Sequence, residues 1–129
     1  MVDSVRHAMM PEPWTIDAAS TLDDAARVMR SWDTREVLVT DNGELRGVLT
    51  ESSIVVTAIA SGRAPSTITA GECASRHVPR LRADLPLSDA LDYMRRHDVH
   101  RLPVVDGDRL VGTAWLADLA ARRAPSSSS

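Results

Sequence analysis

The apolar positions of this chain recur with two periods, one helical and one extended. Between residues 21 and 32 they follow the three- and four-residue spacing of an amphipathic helix, and Thr21 followed by Asp24 is a helix-start signature. Upstream, residues 4–10 predict a short helix and Ile16 marks a short extended piece. The apolar stripe of the first long helix consists of Leu22, Ala25, Ala26, Met29 and Trp32.

Two short apolar runs come after this helix. They cover Val37–Thr40 and Leu45–Leu49, and the Asp41-Asn42-Gly43 segment between them is typical of a hairpin turn. We therefore expect two antiparallel strands. A second helix is predicted over Ser52–Ala60, ending before Gly62.

The whole pattern recurs at an offset of 65 residues without a gap, so that Arg35 aligns with His100 and Gly47 with Gly112. Two copies of one supersecondary unit rarely bury their apolar faces alone, and we expect them to pack on each other. In the second copy we expect a short helix at 70–75 and an extended piece at Leu81. Pro86 takes the first helical position of the next helix, whose apolar stripe consists of Leu87, Ala90, Leu91 and Met94. Strands are predicted over Leu102–Val105 and Leu110–Ala114, and a last helix from Leu116 to about Arg122.

The composition narrows the class of protein. Aromatic residues make up 3% of the chain, so the core must be aliphatic. The formal net charge is −3 and no basic block occurs, so nucleic acid is not an expected partner. No apolar run approaches the ~20 residues that span a bilayer. Met1–Ser4 lacks the features of a signal peptide, and no membrane partner is expected.

Cysteine and arginine usage suggests the compartment and the source. Cys73 is the single cysteine, which excludes a disulfide within the chain and favours a reducing, cytoplasmic environment. Every basic residue is arginine, a bias typical of GC-rich bacterial genomes. We expect a soluble cytoplasmic protein of bacterial origin.

The duplicated order strand, helix, strand, strand, helix resembles a tandem pair of CBS domains, also called a Bateman module. The stretches that carry the resemblance are residues 100–106 (HRLPVVD) and 112–119 (GTAWLADL), with 47–54 (GVLTESSI) in the first copy. The resemblance implies an α+β fold of two β-α-β-β-α CBS motifs packed with pseudo-twofold symmetry. The motifs would cover residues 1–68 and 69–124, followed by a disordered tail over 125–129. Pairs of this family commonly form a disc-like homodimer, which we expect here.

The resemblance also implies a regulatory, non-catalytic role. Such pairs commonly bind an adenosine-containing ligand, namely AMP, ADP, ATP or S-adenosylmethionine, in the clefts between the two copies. No cofactor would be required, and the output would pass to an effector protein that the sequence does not identify. The alternative is a ligand-free scaffold that acts through dimerisation and protein–protein interaction. No catalytic or metal-ligating constellation is evident, so neither kind of residue is predicted.

The ligand signature of the family runs glycine, two apolar residues, a hydroxyl residue, two variable residues and aspartate. The hydroxyl and the helix N-terminal amides face a phosphate, and the aspartate accepts from the ribose hydroxyls. In this chain the signature is split between the copies. The first copy keeps the hydroxyl as Thr50 but has Ser53 at the aspartate position. The second keeps Asp118 but has Trp115 at the hydroxyl position.

The resemblance also implies that basic residues just before a central strand meet the phosphates of a ligand in the cleft opposite. His100 and Arg101 would face the cleft that holds Thr50 and Ser53, and Arg35 would face the cleft that holds Asp118 and Trp115. The two hydrophobic residues of the candidate set occupy equivalent extended pieces and are Ile16 and Leu81.

Each of these residues also has a purely structural interpretation. Thr50 is a suitable N-cap for the helix that follows it, and Asp118 is favourable in the first turn of a helix. Trp115 either stacks on a base or fills a lost pocket. Arg101 at a strand entrance would pair with a nearby acid such as Glu36. The sequence leaves these alternatives open.

Overall fold

The computed structural model describes residues 3–11 and 14–123. The described elements repeat the order strand, helix, strand, strand, helix, with a short helix at the start of the second copy, which confirms the predicted α+β fold. They are β1 (Thr15–Asp17), α1 (Leu22–Trp32), β2 (Glu36–Asp41), β3 (Glu44–Thr50), α2 (Glu51–Ser61), α3 (Ala70–Cys73), β4 (Leu81–Arg82), α4 (Leu87–Arg96), β5 (Arg101–Asp106), β6 (Arg109–Trp115) and α5 (Leu116–Arg123). The predicted tail over 125–129 lies outside the described residues.

The chain divides into two compact units. The first unit consists of residues 14–78, and the second combines residues 3–11 with 79–123. In the first unit β1 runs parallel to β2, which pairs antiparallel with β3. In the second unit β4, β5 and β6 repeat the same arrangement. None of the helices in the described part of the chain is long and apolar enough to cross a membrane.

The first unit has an aliphatic core beneath its sheet. Thr21 caps α1 by accepting a hydrogen bond of 3.2 Å from the Asp24 amide, as the sequence predicts. The hairpin turn is also confirmed, because Asn42 and Gly43 adopt the positive φ angles that such a turn requires. The buried residues of this core are Ile16, Leu22, Ala25, Met29, Val37, Val39, Leu49, Ile68 and Ala70.

The predicted stripe of α1 is wrong at two positions. Ala26 is exposed, and Trp32, the last residue of the helix, is 40% exposed. The chain turns away at Asp33, whose φ of 50° ends the helix. The Trp32 ring therefore lies at the surface, 5.4 Å from the ring of Trp14, instead of in the core.

The second unit has a core of its own. The stripe that the sequence predicts for α4 is fully buried. Pro86 stands at the N-cap of α4 and not at its first helical position, because its ψ of 143° is extended while its carbonyl accepts the first helical hydrogen bond, of 3.1 Å, from the Ala90 amide. The buried residues are Val5, Leu81, Ala83, Leu87, Ala90, Leu91, Met94, Leu102, Val104, Ala114 and Leu119.

The first residues of each copy, here called its leading segment, belong to the compact unit that contains the rest of the other copy. Residues 3–11 complete the second unit, and residues 68–75, which align with 3–10 at the repeat offset, belong to the first. Met10 forms a β-bridge with Thr113, and Ser75 forms the equivalent bridge with Val48. The compact units therefore do not follow a cut after residue 68, and the motif boundaries drawn from the sequence remain a prediction.

The predicted helix over residues 4–10 is reduced to a 3-10 turn at Val5–His7. The reason is the bridge that follows it: the Met10 amide donates to the Thr113 carbonyl, and the Thr113 amide donates back, both at 2.8 Å. A residue in a β-bridge cannot continue a helix. Val5 is fully buried, so the segment contributes to the core as well as to the sheet edge.

An ion pair attaches the start of this segment to α5. The Asp3 carboxylate accepts a hydrogen bond of 3.0 Å from Nε of Arg122, and this bond lowers the pKa of Asp3. Because the pKa of Asp3 is lower in the folded protein than in the unfolded chain, the stabilisation is present at neutral pH. It is lost as the pH falls through the carboxyl range.

Two glycines allow the leading segments to cross the sheet. A Cβ atom on Gly112 would lie 2.5 Å from the Met10 carbonyl oxygen, and one on Gly47 would lie 2.5 Å from the Ser75 carbonyl oxygen. Both glycines belong to the signature that the sequence relates to ligand binding. In the structure they also have this separate, steric role.

We predict that Gly112→Ala lowers the free energy of unfolding by about 1–3 kcal/mol, because the new methyl group displaces the crossing backbone. Urea denaturation measures this loss. The loss should persist in a Met9→Ala background, since the main obstacle is a carbonyl oxygen and not the Met9 sulfur 2.8 Å away. Full rescue by Met9→Ala would contradict the steric explanation.

Candidate functional site

The hydroxyl of Thr50 serves as the N-cap of α2. Its Oγ1 accepts a hydrogen bond of 3.1 Å from the Ser53 amide, and the Thr50 amide donates 3.1 Å to Oγ of Ser53. The Thr50 hydroxyl also donates to Oγ of Ser53 at 3.0 Å. Its single proton is therefore engaged within the cap, and contact with a phosphate would require that bond to rearrange.

Arg35 lies beside the same helix start. Its carbonyl accepts a hydrogen bond of 2.9 Å from the Glu51 amide, and Nε of Arg35 lies 3.8 Å from Oε2 of Glu51. The Arg35 side chain is 93% exposed. The backbone hydrogen bond fixes the position of Arg35, while the ion pair holds its exposed side chain only weakly.

Thr50 and Arg35 line one open pocket of the first unit. The pocket has a volume of about 650 Å³, and its lining includes Glu36, Glu51 and Val55. One arginine faces two carboxylates there. Among the lining residues the glutamates outnumber the arginine.

A second pocket of the first unit, of about 480 Å³, lies between α1 and the start of α2. Its floor is apolar, with Met29 and Ile54, and its rim is charged, with Arg30, Asp33 and Glu51. Both pockets reach the outer face of α2 through Val55.

Helix α2 leaves an apolar face uncovered. None of its residues is buried, and Val55, Val56 and Ile59 are 54%, 64% and 76% exposed. Sequence reasoning missed this face. The available signal was the adjacent trio Ile54, Val55 and Val56, because three consecutive apolar residues are too wide for a helix covered on one side.

The second unit places Arg101 and Trp115 together. They lie directly opposite each other on β5 and β6, and Cζ of Arg101 is 5.4 Å from the centroid of the Trp115 ring. The sequence assigns Arg101 to the cleft of Thr50 and Ser53. The structure places its guanidinium against an indole of its own unit, in cation–π geometry.

Asp118 and His100 are close to this pair along the chain. Asp118 is exposed in the first turn of α5, three residues beyond Trp115. The His100 carbonyl accepts a hydrogen bond of 2.7 Å from the Leu116 amide, which joins the start of β5 to the start of α5. The indole of Trp115 has no acceptor, so it cannot cap the helix as Thr50 caps α2.

The two hydrophobic candidates lie in the cores. Ile16 on β1 is 8% exposed and Leu81 on β4 is 2% exposed, so each packs chiefly within its own unit. Their contact with a ligand stays a prediction, as do the ligand roles of the polar residues. Among the described residues no group of three or more His, Cys, Asp or Glu side chains could hold a metal ion.

Comparison with known proteins gives a consistent result. The family model described as "CBS domain" matches residues 4–58 and again residues 70–114. The protein named Hypoxic response protein 1 from Mycobacterium tuberculosis is 38% identical over 101 residues, which cover 78% of this chain and 71% of that protein.

Solved structures share the fold. Hypoxic Response Protein I with two coordinated zinc ions is 32% identical, has a TM-score of 0.76 and covers 93% of this chain and 98% of that chain. CBSX2 in complex with AMP is 20% identical, with a TM-score of 0.73, over 92% of this chain and 94% of that one. At 20% identity the second likeness extends to the fold alone.

The capping contacts of Thr50 lead to a stability prediction. Thr50→Ala should lower the free energy of unfolding by about 1 kcal/mol, because the Ser53 amide loses its acceptor. Thr50→Ser keeps the hydroxyl and should cost much less, as measured by urea denaturation. An equal loss in both variants would mean that the methyl group, and not the cap, is what matters.

Proposed function

This chain belongs to the CBS-domain family, and from that premise we propose that it is a regulatory, non-catalytic module whose second unit binds an adenosine-containing ligand. The ligand class is an adenine nucleotide or S-adenosylmethionine. The observation that carries the proposal is that Arg101 lies over Trp115, at the end of β6, and that Asp118 is in the first turn of α5, the helix that follows directly. They supply a cation, an aromatic face and a carboxylate, which are the groups such a ligand requires.

Each group matches one part of the ligand. The Asp118 carboxylate accepts hydrogen bonds from both ribose hydroxyls. The Arg101 guanidinium pairs with phosphate through its planar fork. The Trp115 indole stacks on the base. The first amides of α5, which Trp115 does not cap, favour negative charge at the same place.

The second unit is the better candidate of the two for reasons of charge and hydrogen bonding. In the first unit the hydroxyl proton of Thr50 is engaged with Ser53, and Glu36 and Glu51 line the pocket beside Arg35. A phosphate there would meet more negative than positive charge. A ligand can regulate only through different affinities for two arrangements of the protein, and the output then passes to another protein.

We predict that calorimetric titration with AMP, ADP, ATP and S-adenosylmethionine detects micromolar or weaker binding. Asp118→Ala should weaken it about a hundredfold, the loss expected when two ribose hydroxyls lose a charged acceptor. Asp89→Ala is the matched control, because Asp89 is also an exposed acid in the first turn of a helix of the same unit. Equal effects of the two variants would indicate a helix-dipole contribution, and a flat response to all four ligands at millimolar concentration would refute the proposal.

A second candidate function rests on the uncovered face of α2. We propose that it binds the same face of a second copy, which would give the homodimer expected of the family. The rim carries both signs of charge, Arg35 and Glu51, so the surface is electrostatically self-complementary. Covering Val55, Val56 and Ile59 in both copies is worth on the order of 10 kcal/mol before the cost of association.

For this interface we predict that Ile59→Glu shifts the protein to a monomer in sedimentation velocity experiments. A charge buried in the contact without a partner opposes association, while the 76% exposure of Ile59 in one chain lets the monomer fold. Ser66→Glu, at an exposed position after α2, is the control and should leave the dimer intact. A dimer that survives Ile59→Glu would place the interface elsewhere.

A further inference from the structure

The contact between Arg101 and Trp115 distinguishes the second unit from the first. The aligned cross-strand pair of the first unit is Glu36 and Thr50, in which neither side chain is aromatic or cationic. In the second unit the guanidinium lies 5.4 Å over the indole, and the indole is 37% exposed. Part of the aromatic face is therefore covered by a residue of the protein itself.

This coverage has a consequence for any ring that stacks on the indole. A base that stacks on this face of the Trp115 indole must displace the guanidinium, and the cation–π contact is then lost. The displaced guanidinium keeps its charge and stays tethered to β5, close to the indole. A ligand that carries a phosphate can pair with it, whereas an uncharged nucleoside cannot.

We infer that Arg101 is a gate on the Trp115 face, which excludes uncharged nucleosides and admits their phosphorylated forms. This inference rests on the proposed binding of an adenosine ligand in the second unit and adds its selectivity. The phosphorylated ligand replaces the lost cation–π contact by an ion pair with the same guanidinium. An uncharged nucleoside loses the cation–π contact and forms no ion pair to replace it.

The gate predicts opposite effects of one substitution on two ligands. Arg101→Gln removes the competitor, so the affinity for adenosine should rise about threefold. The affinity for AMP should fall about threefold, because the lost ion pair outweighs the relief of competition. The ratio of the two affinities therefore changes about tenfold, which isothermal titration calorimetry on the full chain resolves.

Two further variants make the test specific. Arg109→Gln removes the same charge from an exposed position at the far end of the β5–β6 hairpin and should leave the ratio unchanged. Arg101→Lys keeps the charge but lacks the planar group that stacks on the indole, so it should retain most of the affinity for AMP while the affinity for adenosine rises less than in Arg101→Gln. Circular dichroism establishes that each variant is folded, and Arg101→Lys carries the test if Arg101→Gln is not.

The outcomes separate the gate from the function on which it rests. An unchanged ratio of AMP to adenosine affinity, in variants that still bind AMP, overturns the gate and leaves the proposed function standing. A fall in adenosine affinity on Arg101→Gln also overturns the gate, because the guanidinium would then be the stacking surface. Failure of the unaltered protein and of both Arg101 variants to bind either ligand overturns the gate, and the proposed function falls with it when ADP, ATP and S-adenosylmethionine also fail to bind.

Discussion

The structure depends on how closely the leading segment of each copy passes over a strand: residues 3–11 cross β6, and residues 68–75 cross β3. This passage is possible only where the strand carries no side chain, at Gly47 beneath Ser75 and at Gly112 beneath Met10. Each crossing fixes a β-bridge and brings buried residues, Ile68 in one unit and Val5 in the other, into an aliphatic core. Each core contains residues from both copies of the repeat, so each copy completes a core that is built mostly by the other.

The same scaffold carries two different helix starts. In the first unit Thr50 and Ser53 satisfy each other, which stabilises α2 and commits the hydroxyl. In the second unit the hydroxyl position holds Trp115, which cannot cap α5 and instead contacts Arg101. One start is closed by its own hydrogen bonds and the other is not capped by its own side chain, which is why the proposals on ligand binding concern the second unit.

Much of the fold was predictable from local signals. The stripe of α4, the cap at Thr21 and the turn at Asn42 each depend on neighbours within a few residues, and all three are confirmed. The prediction was wrong where a distant segment decides the outcome. Residues 4–10 read as helical but are bridged to Thr113, and Trp32 reads as part of a buried stripe but packs on Trp14 at the surface.

The sequence by itself determined the repeat, the order of elements, the aliphatic cores and the chemical groups that distinguish the two copies, because these follow from residue type and local spacing. Only the tertiary structure decided which leading segment completes which unit, and that α2 keeps an apolar face uncovered. It alone brought Arg101 onto Trp115. These features are contacts between residues far apart in the chain, and no local pattern encodes the register that joins them.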